Sequence, residues 1–278
     1  MLLFLNISAF VNMNDSVHAS LSKESSFTIG SANINKSNRD FPKIIGKLNA
    51  INADILLLLE VTRENSSPLQ SLIQSYPYHV ENLNIGSSGT GTVLMSRFPI
   101  LSHKVTKYTE FGNMLIAATL EIADKKVAFY GVHFPKPTNR HEFSTRSMQI
   151  MSLAQQVSQQ LFPVIIAGDF NSTPYSPVFT KFIERSGLRD SRAGFGMQPS
   201  WPTFFPPLLI PIDHILVDPS IEVLKRATGS YIGSDHYPVF AELSISNLKN
   251  TEARMNRQSE EISKLLEVYS SSVRNSVC

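Results

Sequence analysis

The pattern of apolar positions along the chain predicts a series of short strands separated by helices. Eight stretches are rich in aliphatic and β-branched residues and are bounded by Gly, Asn, Asp or Pro, as is typical of strands: residues 27–34, 55–60, 92–95, 114–122, 126–133, 164–168, 214–217 and 239–245. The run at 55–59 is continuously apolar, which indicates a strand buried on both faces. Strands that alternate with helical patterns in this way predict an α/β fold.

Four stretches have the features of helices, namely residues 40–51, 67–75, 146–161 and 177–186. In the third, an apolar stripe recurs near helical spacing, and it consists of Ile150, Met151, Ala154, Val157 and Leu161. Two long stretches are predicted to be surface loops, residues 134–145 and 192–211. Loops of that length inside a compact domain often carry function.

The chain divides into a leader and linker at residues 1–26, one folded domain at 27–245 and a tail at 246–278. With 278 residues it is long enough to bury a large core. Apolar positions in the tail predict an amphipathic helix that packs on the domain or on a partner. The alternative for the tail is a solvated segment.

The first residues give a mixed signal about export. Residues 2–11 are mostly apolar and Val17-His18-Ala19 resembles a cleavage site, but no Lys or Arg precedes the apolar run. We therefore expect a cytoplasmic protein rather than an exported one. No stretch reaches the eighteen apolar residues of a membrane-spanning helix, so none is predicted.

Composition narrows the functional classes. The net charge of +2 permits an anionic substrate but is far from the excess that by itself indicates nucleic-acid binding. The single cysteine, Cys278, excludes an intrachain disulfide and a cysteine-based zinc cluster. We expect a monomer whose fold depends on its apolar core.

The segment Gly168-Asp169-Phe170-Asn171 follows a buried strand and is the first chemical motif. Residues two apart in an extended chain point to the same side, so Asp169 and Asn171 can face one site. A carboxylate beside an amide suits water activation next to a bound phosphate. The structural alternative is a strand followed by an Asx turn.

Two further motifs contain an Asp-His pair. Ser234-Asp235-His236 precedes the last strand and can supply a metal carboxylate and an imidazole for proton transfer. Asp213 stands at the start of an apolar strand, where it can hold His236 by a hydrogen bond. His214 would then point to the opposite face, and we assign it a structural role. A turn with a satisfied histidine is the alternative for His236.

Polar residues also end three other strands. Glu60 follows five apolar residues, and a carboxylate in that position requires a cationic partner. Mg²⁺ or Mn²⁺ is the expected partner because hard cations favour carboxylate oxygens, whereas an exposed Glu or an ion pair with Arg63 is the alternative. Asn33 can bind the metal shell or a phosphate, and His133 can contact a phosphate oxygen.

The combination of these motifs indicates more than any one of them. Strands that end in Asn, Glu, His or Asp are expected to meet at one edge, where open α/β sheets form their sites. The set holds carboxylates and imidazoles but no nucleophilic Ser or Cys motif and no phosphate-binding glycine loop. This inventory favours metal-assisted hydrolysis with water as the nucleophile.

In their order along the chain, these residues resemble the endonuclease/exonuclease/phosphatase superfamily, the deoxyribonuclease I-like metal-dependent phosphoesterases. The resemblance covers about residues 27–245 and rests on an ordered series of short motifs: Asn33-Ile34-Asn35, Leu59-Glu60-Val61, Ser96-Arg97-Phe98-Pro99-Ile100, Gly131-Val132-His133, Gly168-Asp169-Phe170-Asn171, Ile212-Asp213-His214 and Ser234-Asp235-His236. It implies a four-layer α/β sandwich in which two packed mixed β-sheets are flanked by helices. It also implies an enzyme that hydrolyses phosphoester bonds with a divalent metal.

The resemblance assigns a role to each site residue. Glu60 would bind the catalytic Mg²⁺ or Mn²⁺, with Asp235 and Asn33 nearby. Asp169 would orient or deprotonate the attacking water, and Asn171 would hold the scissile phosphate. His236, supported by Asp213, would act as base or stabilise the developing negative charge. His133 would bind phosphate or assist the leaving group.

Substrate contacts are less well defined by the sequence. Arg140, His141 and Arg146 follow His133 and can contact a substrate phosphate, and solvated surface charges are the equal alternative. Asn113 stands where several relatives carry a basic residue, so one phosphate contact of the family is in question.

Three functional hypotheses follow from the sequence. The leading one is a phosphodiesterase, with nucleic acid as a candidate substrate. The second is a phospholipid or sphingolipid phosphodiesterase, because the apolar stretch 204–210 can touch a bilayer, although we expect it to pack over the site or the core. The third is a non-catalytic binding protein on the same fold, which the complete set of catalytic residue types disfavours.

Overall fold

The computed structural model describes residues 26–83, 89–107 and 114–245. Most of the predicted leader, the whole predicted tail, Asn113 and Cys278 lie outside the described residues. No helix in these ranges is both long enough and apolar enough to span a membrane.

The first sheet contains six strands in the described part of the chain, in the spatial order β11-β12-β1-β2-β4-β3. β1 pairs in parallel with β2 and antiparallel with β12. The strands of this sheet are β1 Ser26–Asn33, β2 Ile55–Val61, β3 Tyr78–Asn82, β4 Gly91–Ser96, β11 Glu222–Thr228 and β12 Val239–Ser244.

The second sheet also contains six described strands, in the order β5-β6-β7-β8-β10-β9. β7 pairs in parallel with β8, and β8 pairs antiparallel with β10. Its strands are β5 Ile100–Lys107, β6 Met114–Ile122, β7 Lys125–His133, β8 Val164–Asp169, β9 Arg189–Asp190 and β10 Asp213–Val217. Both sheets are therefore mixed.

Side-chain caps set the starts of the α-helices. These are α1 Phe41–Ile51, α2 Arg63–Ile73, α3 Arg140–Ser158 and α4 Pro177–Ser186. Each is preceded by a residue whose side chain accepts a backbone N–H of the first turn, as is usual for an N-cap: Asp40, Thr62, Asn139 and Ser176. A short 3₁₀ helix, Pro206–Leu208, lies in the loop before β10.

Three apolar clusters define four layers. The central core lies between the two sheets and includes Ile29 and Leu57 from the first sheet and Phe129 and Ile165 from the second. A second cluster packs α3 and α4 on the outer face of the second sheet, and a third packs α1 and α2 on the outer face of the first. The predicted four-layer sandwich of two mixed sheets flanked by helices is confirmed.

All eight predicted strands are present, and they are the eight interior strands of the two sheets. The four strands that the sequence pattern missed are β3, β5, β9 and β11, which are the outermost strands at the sheet edges in the described residues. β3 illustrates the reason, because Tyr78, His79 and Glu81 are exposed and only two of its five residues are buried. An edge strand buries less side-chain area, so its hydrophobic signal is weak.

Two predicted helix boundaries and one packing prediction need correction. α3 begins at Arg140 rather than residue 146, because Asn139 caps it and Glu142 accepts the Thr138 backbone N–H at 2.7 Å. α2 begins at Arg63 rather than residue 67, behind the cap formed by Thr62. The prediction that residues 204–210 pack over the site or the core is wrong for most of this stretch, since six of its seven residues are exposed to solvent: Phe204, Phe205, Pro206, Pro207, Leu208 and Ile210.

Candidate active site

The predicted site residues converge at one end of the central core. In β7, β8 and β10, alternate side chains point into that core, among them Phe129, Ile165 and Ile215. Continuing the same alternation to the strand ends places His133, Asp169 and Asp213 on the same face. Asn33 has this position at the end of β1, opposite the second sheet. These four polar side chains therefore lie together at one end of the central core, where the two sheets face each other.

Glu60 reaches the same place through a local break in β2. Leu57 and Leu59 point into the central core, and strict alternation would turn Glu60 toward the helices. Instead, Glu60 has a left-handed backbone with φ of 60° and the pairing with β4 shifts between Leu59 and Val61. Its carboxylate accepts hydrogen bonds from the Asn33 amide at 3.1 Å and from the Lys36 backbone N–H at 3.0 Å. The bulge therefore aims Glu60 at Asn33.

The turn after β8 holds Asp169 and Asn171 together. Phe170, between them, is buried among Phe134, Phe179 and other aromatic rings on the helix side. Both carboxylate oxygens of Asp169 accept from Asn171, from its backbone N–H at 2.7 Å and from its side-chain amide at 3.1 Å. The predicted approach of these two residues is present, and an Asx-type hydrogen bond forms part of it.

Asp213 and His236 form a buried pair. Nδ1 of His236 lies 2.8 Å from Oδ2 of Asp213, which is the hydrogen bond that the sequence predicted. The backbone N–H of Asp213 donates to the Ser200 hydroxyl at 3.2 Å, and that of His236 donates to the Ser234 hydroxyl at 3.1 Å. The pair is fixed in orientation, and its free Nε2 faces Asp169 at 3.9 Å.

The electrostatics of the site depend on burial and on neighbouring charges. Burial and the negative charge of Asp213 raise the pKa of Asp169 to about 8. Burial opposes the charged form of His236, but the carboxylates of Asp213 and Asp169 outweigh it and raise the pKa of His236 to about 10. For His133, burial lowers the pKa below its usual value and the nearby Glu60 opposes this only in part. At pH 7, therefore, the imidazole of His236 is cationic and the imidazole of His133 is neutral.

Asp235 is held by two residues that the sequence motifs did not assign to the site. One oxygen accepts from the Asn35 amide at 2.8 Å, and the other accepts from the indole N–H of Trp201 at 3.1 Å. Trp201 comes from the long loop before β10, which sequence reasoning described only as a candidate functional loop. The spacing of residues along the chain gives no signal for this contact.

A cavity of about 660 Å³ opens over these residues. Its walls include the predicted Glu60, His133, Asp169, Asn171, Asp235 and His236. Lys36, Lys136 and His141 add basic groups to the lining, and Trp201 and Ile210 add an apolar side. The ammonium group of Lys136 lies 5.1 Å from the centre of the Trp201 ring, within range of a cation–π contact.

Other predicted residues lie outside this lining. Arg140 is exposed at the first turn of α3, and Arg146 is buried behind the site, where its guanidinium donates to the backbone carbonyl of Asn171. Their role as substrate contacts stays a prediction. His214 points to the helix side, 2.9 Å from the Ser172 carbonyl and packed on Phe179, consistent with its structural assignment.

The donor set suits a divalent cation. In the described part of the chain, no Lys or Arg side chain forms an ion pair with Glu60 or Asp169, whose contacts of this kind are only with histidines. Carboxylate and amide oxygens are the ligands that Mg²⁺ and Mn²⁺ prefer. Asp169, Asp213 and His236 also offer ligand atoms within 4.8 Å of one another. Because Asp213 and His236 already bond to each other, Glu60 and Asn33 are the better placed candidates for the first ligands.

Comparison with known proteins identifies the class. The sequence profile of the endonuclease/exonuclease/phosphatase family matches residues 30–236, well over half of the chain. The chain belongs to this family of phosphoester-hydrolysing enzymes, and the resemblance noted from its motifs is confirmed. The fold agrees, since similar solved structures have the same architecture.

Three individual proteins that resemble this chain are 25% identical to it or less. The chain is 25% identical over 166 residues to "Protein angel homolog 2" of Danio rerio, covering 52% of this chain and 29% of that protein. It resembles D. rerio TDP2 complexed with a single-strand DNA product, with a TM-score of 0.66, 18% identity and coverage of 79% of this chain and 99% of that chain. It also resembles the Bacteroides thetaiotaomicron mannosyl-6-phosphatase Bt3783, with a TM-score of 0.63, 17% identity and coverage of 78% and 99%. At these identities the structural likeness establishes the fold alone.

Proposed function

We propose that this protein is a phosphodiesterase that uses water as its nucleophile and a divalent cation, Mg²⁺ or Mn²⁺, as its cofactor. The observation that carries the proposal is the convergence of Asp169, Asn171, His133 and the Asp213–His236 pair at the mouth of one cavity. Groups that can position water, hold a phosphate and stabilise negative charge then act on one reacting centre.

Asp169 is the group that handles the attacking water. It is buried, and Asn171 holds both of its oxygens in place. Water attacks phosphorus, its proton passes to the ionised carboxylate of Asp169, and the bond from phosphorus to the leaving oxygen breaks, after which that oxygen takes a proton from solvent. Because the pKa of Asp169 is raised to about 8, the ionised form that accepts the proton increases as the pH rises toward 8. The Asn171 amide, already beside Asp169, binds a phosphate oxygen during this step.

His236 and His133 stabilise negative charge on the phosphate oxygens. Charged His236 is stabilised by Asp213 and presents Nε2 to the site, where it donates to the oxygen that becomes more negative. Neutral His133, 3.9 Å from Asp169, donates a hydrogen bond to a second phosphate oxygen. Asp213 acts through His236, because it fixes the tautomer and the orientation of the imidazole.

Glu60 would hold the divalent cation, and Asn33 and Asp235 would be further ligands. A cation bound there supplies positive charge that offsets the negative charge of the phosphate group. The orientation of Glu60 by Asn33 and by the Lys36 backbone prepares this position.

Nucleic acid is a candidate substrate. Lys36 and Lys136 line the cavity and can contact phosphates on either side of the scissile one. The similar fold of D. rerio TDP2, whose structure holds a single-strand DNA product, supports including DNA among the substrates to test.

The test is hydrolysis of bis(p-nitrophenyl) phosphate, DNA and RNA with Mg²⁺ or Mn²⁺, by the wild type and by Glu60→Gln and Asp169→Asn. Each substitution keeps the side-chain volume, and we expect turnover to fall by roughly 10²–10⁴-fold. Glu64→Gln is the matched control, because Glu64 is an exposed residue at the start of α2, away from the cavity lining.

Chelation of the metal should abolish turnover of the wild type, and addition of Mg²⁺ or Mn²⁺ should restore it. Thermal melting of each variant checks that the fold persists. Full activity in both site variants would overturn the proposal, and so would activity that survives the chelator.

A further inference from the structure

The loop between β9 and β10 has an unusual composition. Residues 193–212, here called the apolar loop, contain no charged side chain, although charged residues make up 17% of the whole chain. The stretch holds five prolines and the sequence Phe-Phe-Pro-Pro-Leu-Leu-Ile at 204–210. A soluble protein normally places a run of this kind in its core.

The tip of the apolar loop is instead in solvent. Phe204 is 73% exposed, Leu208 is 62% exposed and Phe205 is 47% exposed. Large apolar side chains that cluster on a surface mark a site of interaction with a protein, a ligand or a membrane. None of these three residues belongs to an apolar core cluster or lines the cavity in the described part of the chain.

The base of the same loop is fixed to the active site, so the exposure of its tip is built into the fold. Trp201 and Ile210 pair as an isolated bridge, with the Ile210 N–H 2.6 Å from the Trp201 carbonyl. Thr203 donates from its backbone to the Asp235 carbonyl at 2.9 Å and from its hydroxyl to the Ser234 carbonyl at 2.8 Å. The loop therefore projects from the cavity wall in a defined orientation.

Cationic groups lie at the cavity from which the apolar loop extends. Lys136 lies against Trp201, and Lys36 lines the same cavity. Apolar side chains next to lysines suit the surface of a bilayer. The apolar side chains can enter the hydrocarbon region, and the lysines are attracted to the anionic phosphate groups above it. The cavity mouth would then face the layer in which phospholipid phosphates lie.

Other occupants fit less well. A single-stranded nucleic acid needs cations that follow its backbone, and the apolar loop supplies none. A protein interface forms about one hydrogen bond per 100–200 Å², whereas Pro206 and Pro207 at the centre of the tip have no backbone N–H to donate.

We propose that the apolar loop docks this protein on a phospholipid bilayer, and that the substrate is a phosphodiester of a membrane lipid. The substrate half of this inference rests on the proposed phosphodiesterase function. Docking through Phe204, Phe205 and Leu208 would bring the cavity to the interface, where a lipid phosphate can reach His133 and Asp169.

Vesicle co-sedimentation of the full chain tests the docking. The vesicles are phosphatidylcholine with a minor fraction of phosphatidylglycerol, and the loop variant is the double substitution Phe204→Ser and Leu208→Ser. We expect the partition coefficient to fall at least about tenfold, given the apolar area removed from the two side chains. The matched control is Met148→Ser with Leu161→Ser, because these residues are 63% and 51% exposed on another surface.

The same proteins are assayed on bis(p-nitrophenyl) phosphate, which needs no bilayer. Neither substituted pair lines the cavity, so all three proteins should hydrolyse it equally. Loss of vesicle binding by the loop variant alone supports docking, and release of phosphorylated headgroup from the vesicles supports the lipid substrate.

The inference is overturned if the wild type does not bind vesicles or if the two double variants bind as well as it does. Binding without headgroup release, from these vesicles or from vesicles that contain sphingomyelin, would refute the lipid substrate. None of these vesicle results affects the proposed phosphodiesterase function, which is tested separately on the soluble diester.

Discussion

Substitution of Gly168 by alanine should damage both stability and activity, because the added Cβ would clash with the backbone of β7. Gly168 has φ of 137°, a conformation that L side chains rarely adopt. An added Cβ would lie 1.9 Å from the carbonyl oxygen of Val132 and 2.9 Å from its carbonyl carbon. Both are backbone atoms, so no change of rotamer can relieve the overlap.

The cost has two parts. A side chain held in a sparsely populated backbone region costs roughly 1–3 kcal/mol. Overpacking that forces the backbone to shift adds about 1–3 kcal/mol. The sum of roughly 2–6 kcal/mol is a large share of the 5–15 kcal/mol that typically stabilises a domain.

Activity should fall as well, because the clash lies one residue from the site on both strands. Val132 pairs with Gly168, and His133 pairs with Asp169, in the parallel ladder of β7 and β8. Separating the strands by about 1 Å would move His133 away from Asp169, and a displacement of that size can cost roughly 10²-fold in rate.

Chemical denaturation followed by circular dichroism measures the first effect, and hydrolysis of bis(p-nitrophenyl) phosphate measures the second. Gly187→Ala is the control, since Gly187 also has positive φ, of 70°, but no atom lies within 4 Å of its added Cβ. We expect the control to lose only about 1 kcal/mol and to keep its activity. Equal destabilisation of the two variants, or full activity of Gly168→Ala, would refute the reasoning.

Two further predictions concern buried charges. Arg146→Met removes the donor to the Asn171 carbonyl, so we expect kcat in steady-state assays to fall roughly 10–100-fold with little change in KM. Arg146→Lys should recover part of this loss. A change in KM alone would instead indicate that Arg146 contacts the substrate. Asp190→Asn should lower the free energy of unfolding by roughly 3 kcal/mol at pH 7, because Asp190 pairs with the buried Arg192 at 2.6 Å. Burial acts to raise the pKa of Asp190, but His214 and Arg192 outweigh it and hold the pKa well below its usual range. Because the folded pKa is depressed, this stabilisation is present above about pH 4 and is lost as the pH falls further. Denaturant titrations from neutral to acidic pH should therefore converge for the two proteins, and a constant gap would contradict this account.

The interior of each sheet could be predicted from the sequence because hydrophobic burial leaves a clear pattern there. The run at 55–59 is one example, since β2 is covered by the central core on one face and by α1 and α2 on the other. β3, β5, β9 and β11 escaped detection because an edge strand is held mainly by main-chain hydrogen bonds, which any residue type can form.

The site was predictable where it follows the strand alternation, and less so where it departs from it. Asp169 and Asp213 follow the pattern of their strands, and the hydrogen bond from His236 to Asp213 could be inferred from their motifs. Strict alternation in β2 would have placed Glu60 on the helix side, and only its left-handed backbone turns it to the site. Trp201 reaches Asp235 across 34 residues of chain from a loop without periodicity, so no local pattern could reveal this contact.

The distribution of the site over the two sheets has a consequence for how activity responds to stress. Asn33 and Glu60 belong to the first sheet and His133, Asp169 and Asp213 to the second, and no strand ladder joins the two sheets in the described residues. The packing of apolar side chains in the central core, together with polar links such as the hydrogen bond from the Asn33 amide to Asp169, keeps the two halves in register. A slight loosening of that packing would therefore silence the enzyme while every strand and helix remained folded, which makes turnover a more sensitive gauge of sheet alignment than any measure of secondary structure.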